Sequence, residues 1–97
     1  MMDAGRFSIQ FPREFDDAIW EPKGCYPLDI TIGHHSLTVT FYDPARLAQE
    51  VSDSLQRDGF FFDEPYLVVV ERVTRQNMVD ALTAIMANPN PFELSGE

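Results

Sequence analysis

The chain has 97 residues, 44% of them apolar and 24% charged, which excludes a disordered tail and leaves room for one hydrophobic core rather than two. Its formal charge of −9 excludes broad attachment to nucleic acid or anionic lipid, because either would need a basic surface to neutralise phosphates. A single cysteine, Cys25, excludes an internal disulfide and a cysteine-rich metal site.

These bounds predict one domain over residues 1–97 that folds without cofactor or metal in a reducing compartment. Met1 to Phe7 lack the basic-then-apolar pattern of a signal segment, and no stretch approaches the roughly 20 apolar residues of a membrane span. A cytoplasmic location, away from membranes, is the corresponding expectation. Acidic residues outnumber basic ones by six to three over residues 1–42 and by ten to four over residues 43–97, without a long block of one sign. Such a surface keeps a small protein soluble, and it can also be aimed at a basic protein partner.

Along the chain, Phe7, Ile9 and Phe11 alternate as in a strand, and Phe15, Ala18 and Ile19 are spaced like a turn or two of helix ahead of Trp20. The carboxylates Glu14, Asp16, Asp17 and Glu21 read as a solvated segment. Cys25, near Lys23, reads as a packing residue, since a nucleophilic thiol also needs a positioned base.

Next come two alternating runs. Tyr26, Leu28, Ile30 and Ile32 share one side of a strand over 26–32, and Leu37, Val39 and Phe41 share one side of a second over 36–42. With Gly33-His34 as a two-residue loop, the pairs are 32/35, 30/37, 28/39 and 26/41. Every large apolar side chain then falls on one face, and Asp29, Thr31, Ser36 and Thr38 on a wet one. Cys25 falls opposite Tyr42. His34 and His35, adjacent at the tip, point to different sides and make a poor metal chelate.

Asp43-Pro44 opens a helix over 44–58: the aspartate caps free N–H groups, and proline at the first helical position loses no bond it would have made. Leu47, Ala48, Val51 and Leu55 form its predicted buried stripe, Asp53 and Arg57 are spaced for an i,i+4 pair, and Gly59 ends it. Phe60, Phe61 and Phe62 are either core residues or an aromatic anchor for a partner, because in an extended chain Phe60 and Phe62 share one side and Phe61 takes the other. After a turn at 63–65, the run 66–70 is apolar on both faces, as in a central strand. Thr74 caps a second helix over 74–88 with Met78, Val79, Leu82, Ile85 and Met86 inward, stopped by Asn88 to Pro91. Residues 1–5 and 91–97 read as mobile tails.

The implied fold is α+β: a two-layer sandwich in which an antiparallel or mixed sheet of four or five strands carries both main helices on one face. If Tyr66, Val68 and Val70 point to the other face, they need cover from the N-terminal segment or from a second chain, so a homodimer is one expectation. Two arginines, Arg72 and Arg75, flank Thr74 where the second helix begins with its positive dipole end, and an anion between them would relieve the mismatch. If the strands at 37–42 and 66–70 run parallel, Arg46 joins them at one sheet edge, giving Arg46, Arg72, Thr74 and Arg75 as candidate anion ligands. No catalytic constellation stands out. The sequence therefore ranks a noncatalytic, immunity- or inhibitor-like interaction or regulatory module first, a binder of a small anion second and a small enzyme third.

Overall fold

A computed structural model describes residues 7–61 and 66–87 of the chain. Phe62, the turn at 63–65, the C-terminal stop and both predicted tails lie outside the described residues. In order, the elements are β1 (Phe7–Gln10), α1 (Asp17–Lys23), β2 (Cys25–Ile32), β3 (His35–Tyr42), α2 (Pro44–Asp58), β4 (Leu67–Val69) and α3 (Arg75–Met86). They form an α+β fold with helices packed on a mixed four-stranded sheet of order β1-β2-β3-β4.

The hairpin has the predicted register. Ile32 pairs with His35, Ile30 with Leu37, Leu28 with Val39 and Tyr26 with Phe41, with Gly33 supplying φ +59° in the loop. β1 adds antiparallel to β2, pairing Phe7 with Ile32 and Ile9 with Ile30, so three strands present their apolar residues to one side. β4 lies parallel to β3, with Phe41 beside Val68. This settles the strand direction on which the shared arginine edge depended.

The core fills that apolar side. Leu28, Ile30, Val39 and Phe41 from the hairpin meet Val70, Val73, Met78 and Leu82, all buried. Tyr66 and Val68 pack against the same cluster. Tyr66, Val68 and Val70 thus turn to the core that α3 covers, with Val70 buried in it, rather than to the other face of the sheet.

Of the predicted stripe on α3, Met78, Leu82 and Met86 are buried, and Val79 and Ile85 are half-buried. α2 is seated differently from the expectation. It adds no side chain to the core cluster, and its inner line runs through Leu47, Val51 and buried Ser54, whereas Ala48 and Leu55 are exposed. Its first turn abuts Gly24, and Arg46 sits in the field of Cys25 and Tyr42, whose side chains alternate onto the face opposite Tyr26 and Phe41. Thr40 and Tyr42, on that same face, are buried. α2 thus serves as the crossover helix that the parallel β3–β4 pair requires, with its first turn packed at the Gly24 end of the hairpin.

One glycine is required by close approach. Gly24 ends α1 at φ +71°, its N–H donating to the carbonyls of Trp20 and Glu21, and a Cβ there would stand 2.6 Å from Asp43 Oδ2 and 2.9 Å from Arg46 Cβ. Asp43 N–H donates to the Gly24 carbonyl at 2.9 Å, which ties the start of α2 to the end of α1.

Candidate functional site

Polar chemistry gathers where α1, α3 and the first turn of α2 meet the sheet. Thr74 caps α3, its Oγ1 accepting from Asn77 N–H at 3.2 Å. A carboxylate from elsewhere in the chain takes the next free donor: Asp17 Oδ1 accepts the Arg75 backbone N–H at 2.8 Å, 58 residues away in sequence. That is the negative group a helix N-terminus favours, and the chain provides it internally.

Each arginine of the predicted anion set has its own partner. Arg46 is bonded through Nε to Glu50 at 2.9 Å and reaches the Lys23 carbonyl from Nη1 at 3.3 Å. The Glu50 hydrogen bond also holds its guanidinium above the ordinary value, more than burial lowers it. Arg72 points to Glu21 at 3.8 Å. Arg75 lies over aromatic rings, 4.5 Å from the Phe11 centroid and 5.3 Å from that of Phe15, an arrangement in which the ring faces attract the cation. Arg72, Thr74 and Arg75 therefore share a junction with α1, while Arg46 is tied to α2 and the end of α1.

Sequence reasoning assigned the α1 carboxylates no specific partner, and the structure gives three of them one. Asp16 caps α1 through the Ala18 N–H at 2.9 Å, Asp17 caps α3, and Glu21 faces Arg72. The Asp16 cap is local and shows in sequence as an aspartate ahead of a helical spacing. The other two pairings join residues far apart in the chain and leave no local signal. On α2, Arg57 turns to Asp58 at 3.1 Å and to Ser54 Oγ at 3.4 Å, in place of the predicted pairing with Asp53.

The wet face of the hairpin holds a shallow, open depression lined by Gln10, Asp29, Thr31, Ser36 and Thr38. Four of these groups pair across strands: Thr38 Oγ1 donates to Asp29 at 2.8 Å, and Gln10 Nε2 donates to Thr31 Oγ1 at 3.2 Å. Among the described residues, no group of three or more His, Cys, Asp or Glu is placed to hold a metal ion, and no helix is long and apolar enough to cross a membrane.

Apolar chemistry is distributed differently. Ile19, Leu55, Phe60 and Val69 are large side chains about half exposed or more, Phe60 the most at 61%. Phe61 is half-buried outside the core cluster. Among the described residues of the predicted interaction set, Phe60 is therefore the most exposed side chain. Comparison with known proteins finds no matching family model, no matching curated protein and no matching solved structure.

Proposed function

We propose that this chain is a noncatalytic protein-interaction module whose acidic surface is aimed at a basic protein partner, in the manner of an immunity or inhibitor protein. The observation that carries this reading is a division of labour among side chains. Arg46 is held by Glu50, Arg72 faces Glu21, Arg75 lies over Phe11 and Phe15, and Asp16 and Asp17 accept from helix ends, while large apolar groups, Phe60 foremost among the described residues, stay exposed on a chain of net charge −9. Exposed aromatic side chains concentrate binding energy, and a field of one sign speeds encounter with a partner of the other.

Affinity capture with the purified chain, followed by reconstitution from purified components, tests this. The expected result is a stoichiometric complex with a basic protein, weakened by rising salt and by Phe60→Ala. Failure to reconstitute any complex, or a complex with an acidic partner indifferent to salt, would overturn it.

A further inference from the structure

The sheet has two edges, and they differ in protection. β1, at one edge, alternates apolar residues with exposed Ser8 and Gln10 and runs into Pro12 and Arg13, features that discourage another strand from adding. β4, at the other, is Leu67-Val68-Val69, with no charge, no proline and no bulge, and among the described residues no strand lies on its outer side.

The hydrogen bonds to β3 show which main-chain groups face outward. Thr40 N–H donates to the Tyr66 carbonyl and Val70 N–H to the Tyr42 carbonyl, each at 2.9 Å, so residues 66, 68 and 70 turn their main chain to β3. In a parallel ladder the alternate residues turn theirs the other way, which directs the N–H and C=O of Leu67 and Val69 to the outer edge. The Val69 side chain beside them is 46% exposed. Two residues further on, the exposed Glu71 carboxylate has no hydrogen bond or ion pair among the described residues, while neighbouring Arg72 is turned to Glu21.

We infer that the outer edge of β4 docks an extended, basic segment of a partner protein, which joins the sheet as a further strand through the main chain of Leu67 and Val69. This inference rests on the interaction-module reading and supplies its docking edge. Main-chain bonds accept any extended segment, and charge selects among them. A basic strand meets Glu71 and the field of a chain at −9, whereas a second copy brings a further −9 and is repelled.

Panning a display library of short random peptides against the full chain tests the edge. Enriched peptides are expected to be net basic with alternating apolar residues, and binding should fall on the order of tenfold or more in Val69→Pro, which deletes one outward N–H and is compatible with an edge position. Exchange protection of the Thr40 and Val70 amides, bonded across β3–β4, reports whether that variant keeps its ladder. If it does not, Val69→Lys, which keeps the N–H and repels a basic strand, should weaken binding instead. Basic peptides indifferent to a folded edge variant would sink the edge while leaving the module reading standing. Absence of basic enrichment would sink both. Concentration-dependent dimerisation that protects the Leu67 and Val69 amides without peptide would make the occupant a second copy and overturn the inference.

Discussion

Tyr26 is buried where four aromatic rings meet. Trp20 stands edge-on at 4.7 Å and Phe15 edge-on at 5.0 Å, with Phe11 at 6.4 Å and itself 4.8 Å from Phe15. Burial first, then the carboxylates of Asp29 and Glu14, holds the phenol above its ordinary value of 10.0, and Arg75 pulls the other way. A folded-state value above the unfolded one means that the fold favours the neutral phenol. That stability is fully present below about pH 10 and is lost as pH rises through the folded value. Denaturant titrations of wild type and Tyr26→Phe across this range should therefore show a constant difference below about pH 10 and a relative loss for wild type above it. A difference that stays flat above about pH 10 would mean the phenol's ionisation is not linked to folding. The ring cluster was hard to read in sequence because Phe11, Phe15 and Trp20 lie in a stretch of mixed periodicity, and only their convergence on one strand residue gives them a common purpose.

At the scale of elements, the two long helices differ in what their apolar residues do. Leu82 on α3 is fully buried in the core, and Leu55 on α2 is 50% exposed. Leu82→Ala should cost about 2–5 kcal/mol through lost transfer energy and the cavity it leaves. Leu55→Ala should cost less than about 1 kcal/mol, because its side chain is only half removed from water. Urea unfolding midpoints of the two variants check the contrast, and equal losses would place Leu55 inside a core. The hairpin register was legible because period-two alternation and a two-residue loop together admit one pairing. The seating of α2 was not. A stripe through Leu47, Val51 and Leu55 and one through Leu47, Val51 and Ser54 differ by a modest rotation, and what the helix lies against decides between them.

For the whole molecule, sixteen acidic residues face seven basic ones, and the native state holds them closer together than the unfolded chain does. Among the described residues, the ion pairs that offset this repulsion are exposed or partly so: Arg46 with Glu50, Arg57 with Asp58 and Arg72 with Glu21. Pairs of this kind contribute about 0–1 kcal/mol each. Screening should then relieve more repulsion than attraction, so Tm should rise as sodium chloride is added from low ionic strength to the physiological range and beyond. Calorimetry at a series of salt concentrations measures this. A falling Tm would assign the specific pairs a larger share than their exposure implies.

The sequence by itself determined the α+β class, the hairpin and its register, both long helices and their caps at Asp43, Gly59 and Thr74. Each of these is a local matter of alternation, helical spacing or a side chain satisfying a backbone group within a few residues. Only the tertiary structure decided that β3 and β4 run parallel, that Tyr66, Val68 and Val70 turn toward the core, and that Asp17 accepts from the terminus of α3, one of the candidate anion positions. Those outcomes depend on which distant segments come to lie side by side. Periodicity reports only which side of an element is apolar, and what that side meets is settled when the chain closes around its core.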